Sequence, residues 1–180
     1  MKAKLTLENG KTIDMELTKE QEKLINQSDK KRTGYERVIH GDTYYSSDNS
    51  GLTNDNTSVN MSDYIGDYID NSKYDNADYY NDETLTKNTA RADTLMRRFR
   101  RFAVENGGSF SNEEWLGNND INKYYIEFNY YNNELNIDDM VNCKDFGQIY
   151  FRSEEIAQKA INTFKEDLIW YFQEYEDMLR

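Results

Sequence analysis

Apolar and polar residues alternate over residues 2–17, and this period of two predicts a β-hairpin. Each half of the run places three apolar side chains on one face: Ala3, Leu5 and Leu7, then Ile13, Met15 and Leu17. Asn9-Gly10 stands between the halves. Because a type I′ turn needs positive φ at both central residues, this dipeptide is typical of a two-residue hairpin loop.

A helical turn and a second hairpin are predicted next. Thr18 and Gln21 have the spacing of a capping box, which marks a helix start. Residues 35–39 and 43–46 have strand composition and are separated by the turn residues His40-Gly41-Asp42. We therefore predict that these two segments pair with each other.

Residues 47–83 are rich in Asn, Asp, Ser, Thr and Tyr and contain few aliphatic residues. Residues 42–83 carry ten carboxylates against one lysine, Lys73. This composition disfavours a helix, so we predict a long loop with one or two short tyrosine-bearing strands.

The clearest helical pattern lies at residues 87–105. Its apolar residues recur at helical spacing on one face: Ala92, Leu95, Met96, Phe99, Phe102 and Ala103. Asn106-Gly107-Gly108 follows as an expected helix end. Ser111 and Glu114 then form a capping pair for a single turn that presents Trp115.

The last third predicts strands followed by a long helix. Residues 123–129 and 134–138 alternate around the turn Asn132-Asn133, and residues 147–151 are a third short strand. Ser153 caps the helix. Its apolar stripe consists of Ile156, Ala160, Ile161, Phe164, Leu168, Tyr171, Phe172 and Tyr175.

A weak internal repeat runs through this pattern. Residues 78–83 and residues 148–154 both place an aromatic pair before a cap and an amphipathic helix. We predict an α+β fold of antiparallel meanders, each followed by an amphipathic helix, in two similar lobes. Three domains are predicted. Residues 1–32 form an N-terminal hairpin with a short helix, residues 33–108 form an acidic segment that ends in a basic helix, and residues 109–180 form a C-terminal sheet with a long helix.

Composition narrows the class of protein. Leu, Ile, Val and Phe make up only 35 of the 180 residues, but 15 tyrosines add large rings, so we expect a folded chain with a modest core. The net charge of −12 disfavours direct binding of nucleic acid. One cysteine, Cys143, and no apolar span predict a cytoplasmic protein rather than a membrane protein.

Catalytic and metal-binding patterns are weak. Both His40 and Cys143 are single residues of their type, so a turn histidine and a buried or neutral thiol are favoured over catalytic groups. No catalytic residue, cofactor or metal is predicted, although enzymatic activity stays open. The closely spaced aspartates from Asp63 to Asp78 match no EF-hand loop, so a solvated acidic loop is favoured over a cation site.

Two charged sets are candidate binding sites. Carboxylates interleaved with tyrosines can imitate phosphates in a basic groove, and this set consists of Asp63, Tyr64, Asp67, Tyr68, Asp70, Tyr74, Asp75 and Asp78. The second set is an arginine cluster that is suited to an anion or RNA: Arg97, Arg98, Arg100 and Arg101. For the arginines, a polar helix face that pairs with the chain's own carboxylates is the simpler interpretation.

The run Asp145–Ile161 resembles small acidic proteins carried by phages and other mobile elements of low-GC Gram-positive bacteria. Residues 33–38 (Thr-Gly-Tyr-Glu-Arg-Val) and residues 99–105 (Phe-Arg-Arg-Phe-Ala-Val-Glu) are similar to the same set. The resemblance is patchy over residues 33–175, and its motifs are structural. It implies a phage context and, for some members, type II anti-CRISPR activity through binding of Cas9, and it supplies no catalytic residues.

We therefore predict a phage or mobile-element inhibitor that binds a host defence nuclease, with Cas9 as the expected partner. Acidic, tyrosine-bearing loops would occupy the basic nucleic-acid groove of that nuclease. The alternatives are an accessory or structural interaction protein of a phage, and an RNA-binding or guide-RNA-cleaving factor that uses the arginine-rich helix. No membrane partner is expected.

Overall fold

The computed structural model describes residues 2–6, 10–22, 33–47, 58–63, 67–116 and 121–175. Within them the chain is mixed α and β, and its strands pair in three antiparallel two-stranded sheets.

The N-terminal hairpin is confirmed, but its predicted two-residue loop is wrong. The register pairs Thr6 with Thr12, whereas a loop of Asn9-Gly10 alone would place Thr6 opposite Ile13. Strand β1 (Lys2–Thr6) pairs with β2 (Thr12–Glu16), and Gly10 has φ of +79° in the connection. The capping box also forms, because Gln21 N–H donates to Thr18 Oγ1 at 3.2 Å and Thr18 N–H donates to Gln21 Oε1 at 2.9 Å. Helix α1 is described over residues 19–22.

The second hairpin differs from the prediction. Strand β3 (Thr43–Ser47) pairs with β4 (Ser58–Ser62), so the predicted pairing of β3 with residues 35–39 is wrong. The backbone N–H of Val38 instead donates to the Tyr79 hydroxyl at 3.2 Å. Backbone groups that are satisfied elsewhere are not available for a sheet ladder.

A helix, α2 (Tyr68–Asp75), lies in the region predicted to be a loop, and that prediction is wrong for these residues. The Asp67 carboxylate caps α2 by accepting hydrogen bonds from the backbone N–H groups of Ile69 and Asp70. Asp, Asn and Ser are weak helix formers, so this short helix depends on tertiary contacts that the local sequence does not reveal.

The long central helix is confirmed and starts earlier than its apolar stripe. Helix α3 (Glu83–Glu105) begins after Asp82, whose carboxylate accepts from Leu85 N–H at 2.8 Å. Helix α4 (Asn112–Leu116) follows with its predicted reciprocal cap, in which Ser111 and Glu114 exchange hydrogen bonds.

The C-terminal elements follow the prediction with one change. Strands β5 (Lys123–Asn129) and β6 (Glu134–Met140) pair, and helix α5 (Glu154–Trp170) leads into a π-helix (Tyr171–Tyr175). The predicted third strand is reduced to a single antiparallel bridge between Tyr124 and Phe151.

Helices α3 and α5 share one apolar core with the β5–β6 sheet. Phe99 of α3 packs edge-to-face on Phe164 of α5 and on Phe151, with ring centroids 5.5 and 5.3 Å apart. Edge-to-face pairs add a favourable quadrupole interaction to the burial of apolar area. The main core therefore joins the predicted second and third domains.

Candidate partner-binding surface

The predicted acidic set is built around an ion pair that is mostly inside the protein. Arg37 Nε donates to Asp63 Oδ2 at 2.8 Å, and Nη2 approaches Oδ1 at 3.4 Å. A third guanidinium nitrogen, Nη1, donates to Asn71 Oδ1 of α2 at 2.7 Å. The Asp63 side chain is fully buried, whereas that of Arg37 is 30% exposed. Arg37 thus fastens α2 to the end of β4.

Two stacked tyrosines complete this network. The rings of Tyr44 and Tyr79 stack with centroids 4.0 Å apart. The Tyr79 hydroxyl donates to Asp63 Oδ2 at 2.8 Å, and the Tyr44 hydroxyl donates to Asp70 Oδ1 at 2.7 Å. Both rings and both carboxylates are buried. Buried polar groups are inexpensive only when they are paired, and each of these four has a partner.

The ionisation behaviour agrees with this pairing. Burial alone would raise the pKa of Asp63, but hydrogen bonds from Arg37 and Tyr79 outweigh it and hold that pKa below its usual range. Burial raises the pKa of Tyr79 to about 12, and burial together with the Asp70 hydrogen bond raises the pKa of Tyr44. Near neutral pH Asp63 is therefore a carboxylate beside the Arg37 guanidinium, and the phenols of Tyr44 and Tyr79 are neutral.

Helix α2 separates the predicted residues into an inner and an outer group. Asp70 faces the network, whereas Tyr68 and Ile69 are 83% and 54% exposed. Asp75 lies seven residues after Tyr68, two helical turns along the same side. We use the term α2 surface for the exposed residues of this helix and its cap, namely Asp67, Tyr68, Ile69, Tyr74 and Asp75.

Three predicted contact residues take up structural roles. Asp63 and Asp70 are 0% and 3% exposed. The prediction that these two carboxylates imitate phosphates is therefore wrong, because a partner cannot reach them. Asp78 is partly buried and accepts hydrogen bonds from four donors on Ser46, Ser47 and Lys73. Burial would raise the pKa of Asp78, yet these bonds lower it.

The exposed members of the set are Asp67, Tyr68, Tyr74 and Asp75. Tyr64 lies outside the described residues. Tyr74 is 42% exposed and has the Arg37 guanidinium 5.5 Å from its ring centroid. The outer group is therefore attached directly to the buried network.

The motif at residues 33–38 has a structural explanation. Gly34 has φ of +91°, and a Cβ at this position would lie 2.4 Å from Leu85 Cδ2. The Glu36 carboxylate accepts hydrogen bonds from the backbone N–H groups of Thr33 and Gly34. The bond from Thr33 is the largest of several hydrogen bonds that together lower the pKa of Glu36 to about 2. Arg37 supplies the ion pair. Gly34, Glu36 and Arg37 therefore hold residues 33–38 in the position from which Arg37 reaches Asp63.

A shallow groove of about 420 Å³ lies beside this motif. It is lined by Thr33, Gly34, Asn81, Asp82, Thr84, Leu85 and Asn88. The Asn81 amide donates to Glu36, and Asp82 caps α3, so two of its polar side chains already serve the fold.

All four predicted arginines are exposed on α3. Arg98 Nη1 lies 3.7 Å from Asp167 Oδ2, and Arg101 Nε lies 3.8 Å from Glu105 Oε1, so these two pair with carboxylates of the chain as the simpler interpretation predicts. Arg97 donates to Thr94 Oγ1 at 3.1 Å.

Two other arginines hold the fold and were not singled out by sequence reasoning. Arg91 lies 3.8 Å above the Trp170 ring and bonds Asp167 at 3.0 Å. Arg152 donates to both carboxylate oxygens of Glu114, and it also binds the carbonyl oxygens of Gly107 and Ser109. Local sequence patterns do not identify the distant partners of such residues.

The remaining candidates carry no recognisable chemistry. His40 lies exposed in its predicted turn, while Cys143 is exposed rather than buried. Across the described ranges, no group of three or more His, Cys, Asp or Glu residues gathers into a cation site. Within the same part of the chain, no helix has both the length and the apolarity to cross a bilayer.

Comparison of the chain with protein-family models, with curated proteins and with solved structures finds no significant match.

Proposed function

We propose that this protein is a stoichiometric inhibitor from a phage or mobile element that binds a host defence nuclease. The expected target is Cas9, whose basic nucleic-acid groove would receive the α2 surface. Asp67 and Asp75 would stand in for phosphates, and Tyr68 would supply apolar contact area.

The observation that supports this proposal is the attachment of an exposed acidic helix to a buried polar network. Arg37 joins Asn71 of α2 to Asp63, and Asp70 reaches inward to Tyr44. A helix held at two points loses little further conformational entropy on binding, so its exposed tyrosine and carboxylates can contribute more to affinity.

The charge of the whole chain supports the same class of partner. A net charge of −12 attracts basic surfaces over several ångströms and accelerates encounter with them. This long-range effect does not select a site, whereas Tyr68 at 83% exposure provides a local anchor. Exposed tyrosines are enriched among the residues that dominate interface energies.

We also infer that the fold consists of two similar lobes. Support comes from two bridges, Tyr45–Tyr80 and Tyr124–Phe151, each of which adds a third segment to the first strand of a hairpin. The helix cap follows two residues after each bridge, at Asp82 and Ser153. The shared order of hairpin, bridge, cap and helix is what an internal duplication would produce.

The triple variant D67N/Y68A/D75N tests the inhibitor function. We expect at least about a tenfold loss of affinity for guide-loaded Cas9, because exposed aromatic and charged anchors each contribute about 1 kcal/mol or more at an interface centre. Asn retains the capping capacity of position 67, so α2 is preserved. Binding is measured by interferometry and inhibition by a DNA-cleavage assay.

The matched control is E166Q/E174Q/Y131A, which removes two exposed carboxylates and one exposed tyrosine elsewhere. This control should inhibit like the wild type. Absence of inhibition by the wild-type chain, or equal losses in both triple variants, would contradict the proposal. Circular dichroism verifies that both variants are folded.

A further inference from the structure

Helix α3 displays an arginine-rich outer face in an otherwise acidic chain. Five of the nine arginines in the sequence lie in α3. Arg97, Arg100 and Arg101 are all exposed, and Arg97 lies about one helical turn from each of the other two, so the three residues form one patch on α3. We call these three residues the arginine face.

Glu105, the carboxylate that pairs with Arg101 of this face, holds that arginine only weakly. Glu105 approaches Arg101 at 3.8 Å, but their side chains are 64% and 73% exposed. Ion pairs this exposed contribute little, because water screens both charges. Asp93 lies one turn before Arg97, whereas Asp167 is occupied by Arg91 and Arg98. A stronger anion can therefore displace the local pairing.

The arginine face is distinct from the α2 surface. It lies on the half of α3 that packs in the shared core through Leu95 and Phe99. The start of α3 lies near Gly34 through Leu85. The rise from Leu85 to Arg97 along the helix is about 18 Å. The arginine face therefore lies about three helical turns along α3 from the contact with Gly34, whereas the α2 surface belongs to a separate helix.

We infer that the arginine face binds the sugar–phosphate backbone of a nucleic-acid strand. Planar guanidinium groups hold phosphate oxygens through paired hydrogen bonds, which lysine cannot do. Side chains three and four residues apart on a helix are separated by about 5–6 Å, comparable to the distance between neighbouring phosphates of one strand. This inference goes beyond the inhibitor function and does not depend on the α2 surface.

Fluorescence anisotropy with a 20-nucleotide single-stranded RNA, and with DNA of the same sequence, tests the inference on the full chain. Three phosphate contacts predict a slope of about −2 for the logarithm of affinity against the logarithm of salt concentration. R97Q/R100Q/R101Q should weaken binding about 30-fold at low salt and bring the slope close to zero. Gln is a good helix former, so α3 should persist.

Two further variants make the outcome specific. K19Q/K159Q/K165Q removes the same charge from other exposed positions and should leave the slope near that of the wild type. D93N/E105Q removes the competing carboxylates and should tighten binding about threefold. If this variant binds RNA and DNA with equal gains in affinity, the arginine face recognises phosphate alone. If it binds RNA more tightly than DNA, the face also contacts the 2′-hydroxyl group.

The inference is overturned if the wild-type chain does not bind either strand at low salt, or if the lysine variant loses as much affinity as the arginine variant. Failure of the inhibitor function would appear separately, in the cleavage assay with the α2 variant.

Discussion

Asp63 and Asp75 have the same side chain and lie in the same acidic stretch, yet their surroundings differ completely. Asp63 is fully buried and bonded to Arg37 and Tyr79, whereas Asp75 is exposed on the outer side of α2. A buried carboxylate is tolerated only when its partners offset the free-energy cost of removing it from water. Loss of the pairing between Asp63 and Arg37 should therefore destabilise the fold. Asp75 is available to another molecule.

This contrast predicts that D63N destabilises the fold far more than D75N. Asn has nearly the same shape but no charge, so D63N leaves Arg37 without its counter-ion and should cost about 3 kcal/mol. D75N should leave the urea midpoint nearly unchanged. Chemical denaturation followed by circular dichroism compares the two, and equal midpoints would contradict the role of the pair.

The same comparison should depend on pH. Since the pKa of Asp63 is lowered in the folded state, its stabilising contribution is complete above the ordinary aspartate pKa and declines as pH falls through the lowered value. The difference between wild type and D63N should therefore shrink on acidification below about pH 4. A difference that stays constant to pH 2 would exclude linkage to this carboxylate.

At the scale of elements, packing explains why the segment at residues 33–38 lies against α3. Gly34 is buried, and its positive φ brings the backbone against Leu85. Glu36 then closes the turn by accepting two backbone N–H groups. This close approach positions Arg37 for Asp63, so the start of α3 and the end of β4 become linked through one short segment.

We predict that G34A is more destabilising than G10A. Both glycines have positive φ, which costs any Cβ-bearing residue about 1 kcal/mol. Only at Gly34 would the added Cβ also collide with Leu85, whereas nothing lies within 4 Å at Gly10. Thermal melting of both variants should show an additional loss of about 1–2 kcal/mol for G34A.

The variant L85A supplies the control for this collision. In the L85A background, G34A should cost less than it does in the wild type, because the atom that it meets has been removed. Strictly additive losses would show that backbone strain, rather than contact with Leu85, accounts for the effect.

At the scale of the whole molecule, the shared core decides which parts fold together. Leu95, Phe99 and Ala103 of α3 pack in one cluster with Ile126 of β5 and Phe164 of α5. Neither predicted lobe therefore contains its complete hydrophobic core, even though each has its own hairpin and helix. The similarity that we propose between the two lobes would therefore not make them independent.

We predict that residues 109–180 do not fold on their own. Loss of α3 exposes Phe164 and Phe151, and a chain of this size has little other apolar burial to compensate. The fragment 33–180 keeps both sides of the core and should melt cooperatively. Circular dichroism and calorimetry compare the two, and a cooperative transition in the shorter fragment would contradict a shared core.

The sequence alone determined the elements that depend on neighbouring residues. The first hairpin, the caps at Thr18, Ser111 and Ser153, and the long helices follow from apolar periodicity and side-chain capping, both of which act within a few residues. The α+β class follows from the same local signals.

The tertiary structure decided where the charges of the acidic stretch are placed. Arg37 and Asp63 are 26 residues apart, and no local pattern links them. Their contact fastens α2, turns Asp70 inward and leaves Tyr68 and Asp75 outside. Whether a charged side chain is buried and paired depends on which distant segments come into contact. The free energy of that contact is distributed over the whole hydrogen-bond network and does not belong to any one residue.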